Sequence, residues 1–201
     1  MILITETLVI VISFLLTYVI YASSINLFKK YLLDKPNQRS SHIISKPRGG
    51  GIVFIFIFFL FSIISIFIYG FSFNSTLPFL ILPLIATSLI DDFYDISIKY
   101  RFASQIFTSS ILVINYLSRF EQQLFIYDAF LFLLFLFFSV SVINFINFLD
   151  GIDGLITGSF LIFLIFLSFN YSLDFGLLSL IGGLAAFILF NWEPAKIFMG
   201  D

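Results

Sequence analysis

Seven runs of apolar residues, separated by short polar connections, set the pattern of this chain. The first spans Leu8 to Leu27, and the others cover about 52–70, 77–90, 103–118, 129–148, 155–171 and 174–190. A helix rises about 1.5 Å per residue, so about 20 residues cross a hydrocarbon core of roughly 30 Å. Each run approaches that length, the third and fourth least closely. The pattern predicts an all-α, polytopic transmembrane helical bundle of about seven helices. The first run has no basic stretch before it and is followed at once by Lys29 and Lys30, so it reads as a retained helix rather than a secretory leader. No repeat is visible, and the loops are too short to hold a soluble domain. Residues 1–201 therefore read as a single integral membrane domain.

Composition agrees with this reading. The 201 residues are 60% hydrophobic, 20% aromatic and only 11% charged, outside the range of ordinary soluble domains. Cysteine is absent, which excludes disulfides, thiolate metal sites and cysteine nucleophiles. The net charge of −2 is less informative than its distribution. With seven crossings, one set of loops holds Lys29, Lys30, Lys35, Arg39, Lys46, Arg48, Lys99, Arg101 and Lys196, and the other holds only Arg119. The positive-inside rule then puts the basic side in the cytoplasm, the N-terminus outside and the C-terminus inside.

The same side collects the unusual polar stretches: "DKPNQRSSHIISKPRGGG" (34–51), "DDFYD" (91–95), "NFINFLDGIDG" (144–154) and "NWEPAKIFMGD" (191–201). The acids Asp91, Asp92 and Asp95 stand where an apolar run leaves the membrane. Hard oxygen ligands of this kind suit Mg²⁺, although a solvated helix end balanced by Lys99 and Arg101 accounts for them equally well. Asn144, Asn147 and Asp150 recur every third residue. That spacing lays them near one side of the last turns of a helix, facing the bundle interior, since polar groups at membrane depth avoid lipid. Gly151 and Gly154 then allow a sharp turn that brings Asp150 and Asp153 towards a ligand. Amides and carboxylates suit a nucleobase, a sugar or a metal, against the plainer reading of a polar helix cap. In the first inner loop, three glycines beside Arg39, Lys46 and Arg48 can offer backbone N–H groups and positive charge to phosphate. Contact with anionic lipid is the simpler reading of those basic residues. His42, the sole histidine, reads as an exposed loop residue.

Taken together, "PNQRSSH" with "PRGGG", the pair Asp91-Asp92, "NFINFLDGIDGL" and "PAKIFMGD" resemble the bacterial polyprenyl-phosphate N-acetylhexosamine-1-phosphate transferases of glycosyltransferase family 4. These enzymes initiate O-antigen and teichoic acid linkage units, and the lipid I synthase is a more distant relative. The resemblance implies transfer of a sugar-1-phosphate from a UDP-sugar to undecaprenyl phosphate with release of UMP, at the cytoplasmic face of the bacterial inner membrane. It implies Mg²⁺ as cofactor, with Mn²⁺ as an alternative ion. It places Asp91 and Asp92 at the catalytic centre, with Asp91 a candidate for deprotonating the lipid phosphate. Asn144, Asn147, Asp150 and Asp153 would serve the nucleotide-sugar, Arg48 and Lys196 would neutralise phosphate charge, and Asp201, with Asp92, would bind the metal. The expected partners are a UDP-N-acetylhexosamine, undecaprenyl phosphate and membrane lipid, with a homodimer as a further arrangement and nucleic acid excluded. The "SSH...PRGGG" form leans towards the O-antigen branch. Family members continue past "MGD" into further helices, so the resemblance also implies that this chain is C-terminally truncated.

Two other classes fit parts of the pattern. An intramembrane prenyltransferase would use "DDFYD" as a D-D-x-x-D Mg²⁺ site and release diphosphate, but leaves the glycine-rich basic loop and "PAKIFMGD" without a role. A transport or structural membrane fragment would be expected to carry charges at the membrane midplane, whereas the charges here gather at one boundary.

Overall fold

The computed structural model describes residues 2–34, 45–71, 73–94, 96–118 and 125–200. Among them are eight helices: α1 (Ile2–Tyr31), α2 (Gly51–Tyr69), α3 (Phe73–Leu80), α4 (Leu82–Tyr94), α5 (Ile98–Leu117), α6 (Phe125–Leu149), α7 (Leu155–Asn170) and α8 (Phe175–Asn191). One short antiparallel pairing, β1 (Leu33–Asp34) with β2 (Lys46–Pro47), is the remaining regular element, so the chain is an all-α polytopic bundle as its hydropathy predicts. Three helical stretches are long and apolar enough to cross a membrane, Ile4–Tyr31, Gly51–Tyr69 and Tyr127–Leu149; α7 and α8 are apolar but shorter.

The third apolar run departs from expectation, because it forms two helices that meet at Ile81. Pro83 has no N–H to donate backwards, and its ring crowds the carbonyl four residues before it. The ladder resumes where the Ile85 N–H donates to the Ile81 carbonyl at 3.1 Å.

The chain divides into two compact units, one made of Met1–Pro78 with Asp150–Asp201 and the other of Phe79–Leu149. In the first, α8 is the hub, packed against α1, α2 and α7. Val9, Ser13, Thr17 and Tyr21 recur at every fourth position of α1 and are all buried. Ser179, Gly182, Gly183 and Ala186 form the buried middle of α8. Apolar helices in lipid gain little from burying more apolar surface, so association rests on close van der Waals approach, which small residues permit. Ser13 satisfies its own hydroxyl by donating to the Ile10 carbonyl at 2.9 Å. Towards one end, Tyr21 stacks at a tilt on Phe187 and Phe190, with ring centroids 5.3 and 5.4 Å away. Its hydroxyl donates to the Gly50 carbonyl at 2.6 Å, tying α1 to the start of α2.

After α8 the chain runs back along the segment that precedes α2. The Phe198 N–H donates to the Pro47 carbonyl (2.8 Å), the Gly50 N–H to the Phe198 carbonyl (2.9 Å) and the Gly51 N–H to the Met199 carbonyl (2.7 Å). Ile197, completely buried, anchors this return in the core.

The second unit is built on α5, which packs against α4 on one side and α6 on the other. Ser104 of α5 donates to the Pro83 carbonyl of α4 at 3.0 Å, an oxygen that also accepts from the Thr87 hydroxyl at 2.7 Å. Tyr116 meets Phe135 of α6 edge to face at 5.9 Å.

Candidate functional site

The site residues read from the sequence fall into two sets, one in each unit. In the first unit the organising group is Asp153, in the turn between α6 and α7. Its Oδ2 accepts from Lys46 Nζ at 3.1 Å and from the Ala195 N–H at 2.8 Å. One carboxylate oxygen thus joins three segments far apart in sequence: the approach to α2, the turn before α7 and the return after α8. The Lys46 ammonium also lies over the Phe198 ring, 5.0 Å from its centroid. Asn191 makes a second cross-link. Its Oδ1 accepts from Thr157 Oγ1 at 2.7 Å and its Nδ2 donates to the Ile197 carbonyl at 3.1 Å, all of it buried. Arg48 and Asp150 are half-buried beside these links in the chain, and Lys196 is exposed, with its ammonium 6.0 Å from the Phe190 ring centroid.

Of the two glycines in the "GIDG" turn, only Gly154 needs to be glycine. Its φ is +74°, and a Cβ there would meet the Trp192 ring at 3.0 Å. Gly151 has no left-handed φ, and a Cβ there would point into open space. The glycines before α2 are also corrected. Rather than offering N–H groups to a phosphate, Gly50 and Gly51 donate to the carbonyls of Phe198 and Met199. The glycine at 50 is a close-approach residue, because a Cβ would lie 2.6 Å from Phe187 Cε2 and 2.9 Å from the Phe198 carbonyl oxygen.

In the second unit Asp91 and Asp92 close the last turn of α4, both buried, at 7% exposure each. Asp91 Oδ1 accepts from the Ile96 N–H at 2.8 Å, and its Oδ2 forms an ion pair with Arg101 Nη1 at 3.1 Å. Arg101, read from the sequence only as a compensating charge, is therefore the partner that holds Asp91. Asn144 reaches towards the neighbouring helix α5. It and Asn147 are exposed, and Asn144 Nδ2 donates to Gln105 Oε1 at 2.7 Å and to its own Val140 carbonyl at 2.8 Å. Helix α6 ends at Leu149, so Asp150 begins the turn and does not continue the helical face. Gln105, Asn191 and the Thr157 hydroxyl escape sequence reading because single polar residues inside apolar runs look like helix-packing groups. Asp95, Asp201, Arg39 and His42 lie outside the described residues. Among the described residues no three acidic or histidine side chains gather at metal-holding distance.

Residues 75–201, more than half of the chain, match the family described as Glycosyl transferase family 4. The chain belongs to glycosyl transferase family 4. It is thereby a membrane transferase of a family that moves a phospho-sugar onto a lipid carrier. Asp91, Asp92, Asn144, Asn147, Asp150, Asp153, Lys196 and Asp201 fall inside the stretch that matches the family, and Arg48 falls before it. No curated protein matches the chain.

Proposed function

We propose that this family 4 member is a polyprenyl-phosphate sugar-1-phosphate transferase of the bacterial inner membrane. Its donor is a UDP-N-acetylhexosamine and its acceptor undecaprenyl phosphate, and the product initiates a cell-envelope polysaccharide. The observation that carries this reading is the family match, which spans three of the four motif stretches in their expected order.

In the reaction an acceptor phosphate oxygen attacks the sugar-bearing phosphorus of the UDP-sugar. The phosphorus–oxygen bond to the nucleotide breaks, UMP departs with the electron pair, and a lipid-linked sugar diphosphate remains. Two anions meet in this step, so charge neutralisation and alignment do most of the catalytic work. In the first unit, Arg48 and Lys196 supply positive charge, and the Asp150 to Asp153 turn, locked by Lys46, serves the nucleotide-sugar. In the second, Asp92 offers a buried hard oxygen ligand. Mg²⁺, or Mn²⁺, would be held by Asp92 and would supply Lewis-acid stabilisation of phosphate charge. Counted over seven crossings, the gathering of nine of the ten basic residues in one set of loops supports a cytoplasmic site.

The test is UMP release by the purified full chain, given radiolabelled UDP-N-acetylglucosamine and undecaprenyl phosphate in detergent micelles. UMP appearing in step with organic-extractable label is the expected result, and Asp92→Asn removes it while leaving membrane insertion intact. Absence of both products across several UDP-sugars, or diphosphate released from a prenyl diphosphate instead, refutes the assignment.

A further inference from the structure

We infer that Asp91 is a positioning residue for this transfer, acting through Arg101, and is not the base that takes the acceptor's proton; the inference rests on the transferase reading. Three observations within the second unit support it. The first is that both Asp91 oxygens already face donors: Oδ1 the Ile96 N–H at 2.8 Å, Oδ2 the Arg101 guanidinium at 3.1 Å. The side chain is 9% exposed, so neither bond is readily exchanged for water. Swinging the carboxylate towards a lipid phosphate would release the Ile96 amide and the guanidinium together.

The second is the position of the two charges on their helices. Asp91 lies in the last turn of α4, where the helix dipole is negative, and Arg101 lies in the first turn of α5, where it is positive. Each charge is disfavoured at its own helix end. Their pairing across the short connection offsets both penalties, so neither helix by itself explains the residue it carries.

The third is that α5 repeats the device one turn on. Gln105, four residues after Arg101 on the same face and buried, accepts from Asn144 of α6, while Ser104 donates to Pro83 of α4. Arg101, Ser104 and Gln105 thus tether α5 to both neighbours. The Asp91 tether fixes the last turn of α4, which is also the turn that carries Asp92. In this arrangement Asp92 meets the reactants and Asp91 sets where Asp92 stands.

Asp91→Asn, Arg101→Gln and the double variant, made in the full chain, separate the roles. The neutral amide pair keeps acceptors for Ile96 and for residue 101 without a lone charge. The clamp predicts that in thermal melts each single variant loses stability, and that the double variant melts no lower than the worse single. It predicts that Asp91→Asn lowers kcat by about 10²-fold, the cost of a misplaced reacting group. KM and the shape of the pH–rate profile stay as in the parent, and Arg101→Gln restores at least about tenfold of the lost rate. A base would behave otherwise: Asp91→Asn would remove the acidic limb of the profile, and no change at 101 would restore the rate. Additive melting losses, or a lost limb without restoration, overturn the proposal. A parent that releases no UMP overturns the transferase reading and the positioning role with it, while the melts still decide whether the clamp exists.

Discussion

Gly182 of α8 sits against the backbone of α1, and Gly182→Ala measures what that approach contributes. A Cβ at 182 would lie 2.1 Å from Ser13 Oγ, 2.3 Å from the Ile10 carbonyl oxygen and 2.8 Å from the Phe14 amide nitrogen. The Ser13 hydroxyl can rotate away only by giving up its bond to Ile10, and the other two atoms are backbone, so relief requires α1 to shift as a body. Overpacking of this kind costs about 1–3 kcal/mol, and the better helix propensity of alanine returns up to about 1 kcal/mol. The net loss is on the order of 1–2 kcal/mol. Gly158→Ala is the control, because its Cβ would meet only Ile188 Cδ1 at an ordinary 3.6 Å. There the propensity gain stands alone, and the variant is neutral or more stable by a few tenths to about 1 kcal/mol. In a chain of this size 1 kcal/mol corresponds to about 2–4 °C in Tm. Melts of both variants in one detergent, followed by circular dichroism, should therefore place Gly182→Ala several degrees below Gly158→Ala. Equal melting temperatures would refute the packing argument.

Three further outcomes follow from the same geometry. Lys46→Ala leaves Asp153 Oδ2 with the Ala195 amide, and because both side chains of the pair are partly exposed the loss is about 1 kcal/mol; a double-variant cycle with Asp153→Asn tests it, and strictly additive losses would show that the pair is not coupled. Thr157→Val strands the buried Asn191 Oδ1 and costs about 1–3 kcal/mol, whereas Thr157→Ser stays near the parent; a valine variant as stable as the parent would mean that the bond contributes nothing. Asp174, in the connection before α8, has its carboxyl pushed above the ordinary range by burial, and the Leu177 N–H on Oδ1 only partly opposes this. Its folded form holds a proton that the unfolded chain gives up, so its contribution is complete below the ordinary carboxylate pKa and is lost as pH rises through the raised one. Melting temperature should fall across that window in the parent and not in Asp174→Asn, and matching pH profiles would remove Asp174 as the cause.

Much of this protein is written in the order of its residues. Apolar runs of membrane length place the helices, because no other backbone arrangement satisfies itself in lipid without closing a barrel. The break at Ile81 is also present in sequence, as the prolines at 78 and 83, although the run reads as one helix when only its hydropathy is counted. The polar stretches of 91–95, 144–154 and 191–201 identify themselves by contrast with their surroundings, and their order carries the family. What they touch is another matter. Asp91 with Arg101, Asn144 with Gln105, and Asp153 with Lys46 and Ala195 are pairings decided by how far each helix is rotated and how deeply it is set. Helices such as α1, α6, α7 and α8 are apolar on every side, so the amphipathic stripe that marks the inner face of a soluble helix is missing. Without water to sort one face from the other, close contact at Gly182 and Gly50 and the reach of a few polar side chains determine which surfaces meet. Those contacts exist only once the helices are packed.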